Sequence, residues 1–542
     1  MQAKLLKFLL LFFVVFNIGL GSFGLAETSE ARYAEISKEM VISGDFLYPT
    51  KLGIKHLHKP PLTYYITSLG YKIFGINEYG ARFFLGIALL LQIYLVFKIA
   101  FLLIKDEKIA YASALIYSSF PLVLIAVRNL TTDAYLVTFI LWSIFLWLTY
   151  KQSNKPHYLY AFFAVLGLAF LTKGPVGLIP PLLFVGCWKY FNKEKFHFSL
   201  HVLLGTILML AISGSWFFTI ILDSPKVWDY FVHEQIINRA THAAQFHRSQ
   251  PFWYYLILAP VLGVPWIFFI TTYLLNKFKE EWNSSNIIKV ILSTSIVLLL
   301  LFSLFSSKLI LYILPIFPFI AILGSVLLYK FSEKQIKWFS RSYYVLFTIL
   351  ILALIGTIFY PEIEVDLVQT IFILFVAIGC LIYFLKISKI NDSSKLLHMG
   401  VGFTLCLLLI HTSFASNNAK TINSFKGLAK FIQHEKGDKV NSLIVYDYLL
   451  PSADFYLDTQ VITIQDNNYR TFRETQFEND TLYKKNLINL KDPSDSKRFK
   501  QLFQKEDQVY IERKKSPIND SLSYLLETFT HKIEKDSWVI YY

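Results

Sequence analysis

The sequence has few charged residues and few cysteines. Charged residues make up 17% of its 542 positions, whereas soluble domains carry about 25%. The three cysteines all fall inside apolar runs and form no CxxC pair, which argues against disulfides and against a cysteine-ligated metal. In place of charge, the chain carries 55% hydrophobic residues and has a mean hydropathy of +0.47. This composition predicts a polytopic membrane protein.

The excess of basic residues follows the pattern of a membrane protein. The formal net charge is +14, but most Lys and Arg lie in short loops between apolar runs, as the positive-inside rule requires. We therefore expect no nucleic-acid partner. We interpret the N-terminal apolar run as an uncleaved first helix rather than a signal peptide, because so many apolar runs follow it.

Apolar runs of membrane-spanning length predict an all-α fold for most of the chain. A hydrocarbon core of about 30 Å needs about 20 residues per helix. With the N-terminus in the cytoplasm, every loop predicted to be cytoplasmic is basic, and the C-terminus lies outside. The thirteen predicted spans are 5–25, 81–104, 109–127, 134–150, 158–172, 174–191, 199–222, 253–275, 288–306, 310–329, 342–359, 368–386 and 397–414.

Two long outer loops, 26–80 and 223–252, interrupt these spans. The first is so rich in acids, bases and histidines that it must lie in water or line a polar cavity. Its pattern predicts a helix over 30–43, ended by Gly44. A second stretch, 61–74, repeats its apolar residues at helical spacing and predicts an interfacial helix.

From residue 416 onward the composition becomes that of a soluble protein. Short strands alternate with helices there, which predicts a small extracytoplasmic α/β domain over 416–542, after a transmembrane domain over 1–415. The predicted helices are 421–434 and 451–457, and the predicted strands are 442–446, 461–464, 508–512 and 538–541.

Several cations stand on the predicted outer side, against the topology rule. Each one by itself is explained by a side chain that reaches along the lipid interface toward water. As a set beside acids and aromatic residues, they also fit a shared anionic ligand, and the residues alone leave both interpretations open. They are Arg32, Lys55, Lys59, Arg128, Lys173, Arg239, Arg248 and Lys308.

Longer motifs carry a family resemblance. The run TSEARYAEISKEMVISGDFLYP, followed by HKPPLTYYITSLGYKIFGINEYGARF, resembles the first outer loop of the GT-C glycosyltransferases of the protein O-mannosyltransferase and aminoarabinose (lipid A) transferase superfamily. Further matches are RNLTTDAY after the third span, FLTKGPVG between the fifth and sixth, and SKLILYILPIFP near the tenth. The resemblance covers residues 1 to about 415 and implies that this part is a catalytic domain of the GT-C fold.

The resemblance implies a phosphate-binding set. Arg32 and Lys59 match residues that hold the lipid phosphate, and Arg239 stands where a further phosphate-binding arginine of the second loop is expected. Arg248 and Lys308 are the other cations that we expect at the donor. We expect the sugar site to be lined by Tyr33, Tyr64 and Tyr65.

The catalytic acid departs from the family pattern. Ser29 occupies the position of the catalytic aspartate, so Glu30 becomes the expected catalytic residue, with Glu27 in reserve. Asp133 matches an acidic residue after the third span and is the other candidate base. Without the resemblance, Glu30 and Glu35 would be interpreted as partners of neighbouring bases on a solvated helix.

The function that follows is transfer of a sugar from a polyprenyl-phosphate donor to a lipid, glycan or protein acceptor at the outer face of the plasma (inner) membrane, as part of cell-envelope or lipid A-type modification. No cofactor is required by this reading, although a divalent metal held by His58 and His233 is a further hypothesis. Two alternatives stay open. One is a transporter of polyprenyl-linked sugars, which predicts broken helices and pseudo-symmetric halves. The other is a non-catalytic envelope assembly protein that acts through its C-terminal domain.

Overall fold

The computed structural model describes residues 1–233, 249–386, 392–437, 440–504 and 507–542. These residues form two compact units. The helical unit comprises Met1–Leu20, Arg82–Thr219 and Trp228–Asn417. The loop unit comprises Gly21–Ala81, Ile220–Val227 and Asn418–Tyr542.

The helical unit holds most of the predicted membrane spans. Among the described residues, nine unbroken segments are long and apolar enough to cross a membrane. They confirm a multi-pass membrane protein. The segments are Glu78–Ile104, Thr132–Ser153, Pro156–Gly177, Leu200–Asp223, Asn286–Leu304, Ile310–Leu328, Glu333–Ile358, Leu367–Lys386 and Ser393–Asn417.

Two further predicted spans are bent helix pairs. Glu107–Ser118 and Pro121–Arg128 meet at 60°, and Tyr254–Leu262 and Trp266–Ser284 meet at 116°. Proline stands at each break, where its missing N–H interrupts the helical hydrogen bonds. Counted as single spans, they raise the total in the described part to eleven. The two other predicted spans contain helices of 16 and 13 residues, Gln2–Asn17 and Ile179–Phe191, so the number thirteen stays a prediction.

The first loop forms two packed helices in the loop unit. The first-loop helix, Ser29–Ser43, ends at Gly44, whose φ of 72° is the left-handed conformation that glycine adopts most readily. The second helix, Leu62–Phe74, lies against it: the Tyr71 hydroxyl donates to the Ala34 carbonyl at 3.1 Å, and Ser68 donates to the Ser37 carbonyl at 3.2 Å. The predictions 30–43 and 61–74 thus fall within one residue of the observed helices.

The loop unit also contains the sheets. Strands β1 (Thr50–Lys51) and β2 (Ile54–Lys55) form a small hairpin. The remaining strands form one six-stranded sheet in the order β5-β4-β3-β6-β8-β7, in which β5, β4, β3 and β6 are parallel and β8 and β7 are antiparallel. They are β3 (Ser442–Tyr446), β4 (Gln460–Gln465), β5 (Leu487–Asn489), β6 (Gln508–Arg513), β7 (Lys532–Lys535) and β8 (Trp538–Tyr541).

Helices cover both faces of this sheet, because its central strands are apolar on both sides. One core contains Leu428, Ile432 and Val445, and the other contains Ile444 and Phe499. The predicted α/β fold of the C-terminal segment is confirmed. Its helices are Lys426–Lys436, Pro451–Leu457, Tyr469–Glu474 and Ser496–Leu502, with 3-10 turns at Thr475–Phe477, Leu482–Lys485, Pro493–Asp495 and Asp520–Thr528.

The first loop and the C-terminal segment are parts of one folded body. A β-bridge joins Ala26 to Ser424, and the Glu27 amide donates to the Asn423 carbonyl at 2.9 Å. The Leu25 amide donates to the Tyr456 hydroxyl at 2.7 Å. The division into 1–415 and 416–542 stays a prediction, and the loop unit draws residues from both sides of that boundary.

Candidate active site

Arg32 lies at the end of the first turn of the first-loop helix, which begins at Ser29. Its guanidinium carbon lies 5.4 Å from the centre of the Tyr33 ring, and the Tyr33 and Tyr64 rings lie 5.4 Å apart. Both tyrosines are buried, while Arg32 is half-buried. Its Nε has no hydrogen-bond partner among the described residues. The structure therefore brings together a positioned cation and two of the three tyrosines expected at the donor.

Tyr65 is engaged elsewhere. Its hydroxyl donates to the Phe46 carbonyl at 2.8 Å, and its ring lies 6.2 Å from the Phe46 ring. Burial, with a smaller effect of Asp45, raises the pKa of Tyr65 to about 12. Adjacent helical residues point in directions about 100° apart, which is why Tyr64 and Tyr65 have different surroundings.

A buried carboxylate organises the rest of this region. Glu474 Oε2 lies 2.9 Å from Lys51 Nζ, 2.8 Å from His56 Nδ1 and 3.3 Å from His58 Nε2. Its other oxygen, Oε1, lies 3.3 Å from Nη2 of Arg473. We call Lys51, His56, His58, Arg473 and Glu474 the histidine–glutamate cluster. It ties the end of the first loop to the C-terminal segment inside the loop unit.

The charges of this cluster are already compensated. Burial lowers the pKa of both histidines, that of His58 to about 4, so both are neutral near pH 7. Burial alone would raise the pKa of the Glu474 carboxyl, but Lys51, His56 and His58 together hold it well below its usual value. One carboxylate therefore faces two basic side chains, Lys51 and Arg473. Burial lowers the pKa of Lys51, and the ion pair with Glu474 acts in the opposite direction.

Sequence reasoning missed most of this cluster. Lys51 stands in a visibly polar loop, but no local pattern separates it from the neighbouring lysines. His56 and Glu474 are 418 positions apart in the chain. No motif surrounds Glu474, so only the folded loop unit reveals that it contacts Lys51 and the two histidines of the first loop.

Glu27 is the reserve acid of the sequence prediction. Its Oε1 accepts a hydrogen bond from the Ser452 amide at 3.0 Å and a shorter one from the Ser452 hydroxyl. Its Oε2 is buried and has no hydrogen-bond partner among the described residues. Burial raises the pKa of Glu27 to about 6, although Ser452, Lys51 and Arg513 act in the opposite direction.

Glu30 has a different environment. It is 2% exposed and stands in the first turn of the first-loop helix. Its Oε2 accepts the Ala26 amide at 3.0 Å. A carboxylate in this position is stabilised by the positive end of the helix dipole. The role of Glu30 as a catalytic residue stays a prediction, and the geometry also gives it a structural role at the start of the helix. Ser29 is the first residue of that helix.

Lys59 and His58 end the polar part of the first loop. Lys59 is half-buried and precedes Pro60, while the neighbouring His58 is fixed by Glu474. His233 belongs to the helical unit, where it is exposed and lies 3.5 Å from Asp229. The hypothesis of a metal held by His58 and His233 stays a prediction. The pairing of Glu474 with Lys51 and Arg473 makes a dication beside His58 unfavourable, because like charges repel strongly in a buried site.

The helical unit brings three sequence motifs together. Asp133 of RNLTTDAY lies 2.5 Å from the ammonium of Lys173 in FLTKGPVG. That ammonium also lies 4.4 Å from the ring centre of Tyr312 in SKLILYILPIFP. The carboxylate of Asp133 is therefore already paired with a cation.

The remaining predicted cations have identifiable surroundings or fall outside the description. Lys308 Nζ donates to the Gln250 carbonyl at 2.8 Å. Arg128 donates to the Phe16 carbonyl at 2.9 Å and to the Thr412 hydroxyl. Arg239 and Arg248 lie outside the described residues, and their expected phosphate contacts stay predictions.

Comparisons with known proteins agree with the motifs. Residues 58–217 match the dolichyl-phosphate-mannose-protein mannosyltransferase family. An uncharacterized protein of Aquifex aeolicus is 29% identical over 361 residues, which are 66% of this chain and 70% of that protein. The undecaprenyl phosphate-alpha-4-amino-4-deoxy-L-arabinose arabinosyl transferase 1 of Pseudomonas fluorescens is 28% identical over 335 residues. Those residues are 61% of this chain, and they span only 60% of that enzyme.

A solved structure has the same fold. The crystal structure of ArnT from Cupriavidus metallidurans bound to undecaprenyl phosphate matches this chain with a TM-score of 0.78 and 21% sequence identity. The match covers 100% of this chain and 98% of that one. It confirms the predicted GT-C fold with its C-terminal α/β part.

Proposed function

We propose that this chain, a relative of the aminoarabinose transferases and protein O-mannosyltransferases, is an integral membrane glycosyltransferase. It takes a sugar from a polyprenyl-phosphate donor and passes it to a lipid, glycan or protein acceptor. The observation that carries the proposal is Arg32. It stands in the matching motif, beside the buried Tyr33 and Tyr64, with a donor group that no described residue uses.

The donor phosphate binds to Arg32 and Lys59. As the bond from the anomeric carbon to the phosphate oxygen breaks, that oxygen keeps the electron pair and negative charge grows on the leaving polyprenyl phosphate. Fixed cations stabilise this charge more than they stabilise the intact donor, which lowers the barrier. Tyr33 and Tyr64 line the adjacent sugar site, where aromatic faces and hydroxyls contact sugar rings.

A hydroxyl acceptor requires a base, and Glu27 fits this role best. Its pKa of about 6 is close to the working pH, as an efficient general base requires. Its Oε2 takes the acceptor proton while the acceptor oxygen bonds to the anomeric carbon from the face opposite the leaving phosphate, which inverts that carbon. Glu30 and Asp133 are the other candidates, and each carboxylate already has a hydrogen-bond or ion-pair partner. Glu27 is also hydrogen-bonded, by Ser452, but through Oε1, while its Oε2 has no partner among the described residues. An acceptor that already carries an oxyanion needs no base.

The reaction takes place at the outer face of the plasma (inner) membrane. The support is the charge pattern of the sequence: short basic loops alternate with apolar spans, so the N-terminus lies in the cytoplasm and the C-terminal segment outside. In this arrangement the first loop faces the compartment that contains the acceptor.

The test uses full-length protein in membranes and measures two quantities: binding of undecaprenyl phosphate and transfer of sugar. The transferred sugar is first identified by mass spectrometry of the envelope glycans of a deletion strain. Arg32→Ala and Lys59→Ala each remove a charge-assisted hydrogen bond, and we expect each to weaken undecaprenyl phosphate binding about 10- to 100-fold. Transfer should fall at least as far.

The matched control is Lys72→Ala, which removes an exposed cation from the second helix of the same loop. We expect unchanged binding and transfer in this variant. Wild-type binding and transfer in both Arg32→Ala and Lys59→Ala would contradict the assignment. Movement of the lipid-linked sugar across proteoliposomes without cleavage of its phosphate bond would favour the transporter alternative.

A further inference from the structure

A second cluster lies between the first-loop helix and the C-terminal segment, away from the residues used above. Glu35 and Glu39 are four residues apart and share one face of the first-loop helix. Asp454 belongs to the short helix Pro451–Leu457, which packs against that face. One carboxylate oxygen from each residue lies within 4.8 Å of the other two. We call these three residues the acidic cluster.

Glu35 is the unusual member of this cluster. It is 0% exposed, and neither of its oxygens has a hydrogen-bond partner among the described residues. A buried ionised carboxylate without donors costs several kcal/mol or more. The other two members are better satisfied, since Glu39 accepts the Gly53 amide at 3.2 and 3.3 Å and Asp454 lies 3.3 Å from Lys38 Nζ. Something must therefore compensate Glu35.

The charge balance indicates what is missing. The three carboxylates of the acidic cluster have one ammonium beside them, that of Lys38, which is 4% exposed. Lys38 also pairs with Asp458, but that carboxylate is 90% exposed and solvated by water, so it is left out of the buried charge balance. If all four groups are ionised, two negative charges remain, and one divalent cation balances them. The histidine–glutamate cluster has the opposite excess, with one carboxylate facing Lys51 and Arg473. A dication would therefore be repelled there and attracted here.

We propose that Glu35, Glu39 and Asp454 bind a hard divalent cation, Ca²⁺ in preference to Mg²⁺. All three donors are carboxylate oxygens, the ligands that both ions prefer. Oxygens bound to one Ca²⁺ at about 2.5 Å are at most about 5 Å apart, and the observed limit of 4.8 Å satisfies this. Mg²⁺ demands a stricter octahedron and keeps its waters, whereas the buried Glu35 has to bind directly. The ion joins the first-loop helix to the C-terminal segment.

The rival explanation is a proton. Burial, reinforced by Asp454 and Glu39, raises the pKa of Glu35 well above its usual value. A protonated Glu35 can donate a hydrogen bond to Asp454 and needs no metal. The two explanations differ in their response to Glu35→Gln, because a glutamine amide imitates the protonated acid in shape and hydrogen bonding but is a much weaker calcium ligand.

The experiment is calcium titration of full-length protein in a non-ionic detergent, after removal of divalent ions with a chelator. Calorimetry and the thermal unfolding temperature are recorded for Ca²⁺ alone and for Mg²⁺ alone. We expect one saturable Ca²⁺ site, a higher unfolding temperature with Ca²⁺, and a weaker response to Mg²⁺. Glu35→Gln should reduce Ca²⁺ affinity at least tenfold.

Asp458→Asn is the matched control. Asp458 is also bound to Lys38, at 3.3 Å, but it is 90% exposed and does not belong to the acidic cluster. We expect this variant to keep its Ca²⁺ affinity within about threefold. The proposal is overturned if wild-type protein shows no saturable site at millimolar Ca²⁺, if Glu35→Gln binds Ca²⁺ as the wild type does, or if Mg²⁺ binds more tightly than Ca²⁺. Should Glu35→Gln fail to fold, the wild-type titration still decides.

Discussion

The histidine–glutamate cluster and the acidic cluster both connect the first loop to the C-terminal segment, but their excess charges have opposite signs. Each joins the first loop to the C-terminal segment through buried ionisable groups. In the first, one carboxylate is surrounded by cations and neutral histidines. In the second, three carboxylates share one lysine. Residue types alone would suggest the histidine-containing cluster as the metal site, and the charges of the neighbouring residues argue for the other.

The difference teaches that ligand identity is only half of a metal-site argument. A buried ion must balance the charges already present, because the low dielectric makes an excess of either sign costly. Lys51 and Arg473 occupy the place of a metal beside Glu474. Around Glu35 the neighbouring cation is Lys38, which is itself paired with Asp454.

The largest effect is expected from Glu474→Gln. The change leaves Lys51 as a buried ammonium without its anion, and it points an amide donor at other donors. Breaking a buried ion pair by removing one partner costs about 3–5 kcal/mol. We expect a loss of that order in the stability of the loop unit, measured by denaturant unfolding of the full chain.

Glu534→Gln is the control, because Glu534 is 60% exposed and pairs with Lys514. The stability lost in this variant should stay within about 1 kcal/mol. Equal stability in the two variants would contradict the assigned role of Glu474.

Acid is expected to destabilise the histidine–glutamate cluster through His58. The pKa of His58 is about 4 in the folded protein and 6.5 in the unfolded chain. The unfolded state therefore binds more protons between these values, so stability is fully present above pH 6.5 and is lost as pH falls toward about 4. The loss attributable to His58 is on the order of 3 kcal/mol.

Comparison with His58→Gln isolates the contribution of His58 to stability. It is needed because the contribution of Glu27 changes with pH in the opposite direction over part of the same pH range. The pKa of Glu27 is raised from 4.5 to about 6, so its contribution is lost as pH rises. We expect the difference in unfolding free energy between the wild type and His58→Gln to become smaller as the pH is lowered from 7 to 4.5. A difference that does not change over this range would mean that His58 titrates normally.

Lys51→Met should have an intermediate effect. The methionine fills similar volume, and Arg473 and the histidines remain to compensate Glu474. We expect a loss of about 1–3 kcal/mol, smaller than for Glu474→Gln. Because Lys51 helps to lower the pKa of His56 and His58, its removal should also make the loss of stability in acid smaller and complete at a higher pH. Unfolding measured from pH 4.5 to pH 7 gives both quantities. A loss of stability larger than that of Glu474→Gln would contradict the assignment of Glu474 as the central charge of the cluster.

The smallest effect is expected from Glu35→Gln without divalent ions. The pKa of Glu35 in the folded protein lies well above 4.5. The contribution of Glu35 to folding stability is therefore fully present below pH 4.5 and is lost as the pH rises through that folded-state pKa. Glutamine cannot ionise. The variant should therefore match the wild type within about 1 kcal/mol at low pH and become the more stable of the two as pH rises. A large loss of stability in Glu35→Gln at low pH would show that Glu35 is not a neutral, protonated acid in the folded protein.

Local patterns in the sequence were sufficient for much of the fold. The strand 442–446 and the helix 451–457 have the predicted bounds, because a short apolar run and an N-terminal proline are unambiguous signals. Strands β5 and β7 were not predicted. The first has three residues, and the second alternates the exposed Lys532 and Glu534 with the partly buried Ile533 and Lys535, so neither forms an apolar run.

The candidate site was predictable only in part. Arg32, Tyr33 and Lys59 were predicted from a contiguous motif, and Asp133 from another; their roles stay predictions. The partners of these motifs were not found, because Glu474 and Asp454 act over more than 400 positions of chain. Periodicity and capping signals operate over a few residues, and they carry no information about such pairs.

The union of residues 21–81 with 418–542 also sets the time at which the site is assembled. During synthesis His56 is made 418 residues before Glu474, a delay on the order of tens of seconds at ordinary elongation rates. For that interval Lys38, Lys51 and Glu35 have no partners from the C-terminal segment and must stay hydrated. A chain that stops after Asn417 has the helical unit and the motif residues, but its first loop cannot bury these charges. The first loop can therefore bury these charges only after the C-terminal segment has been synthesised.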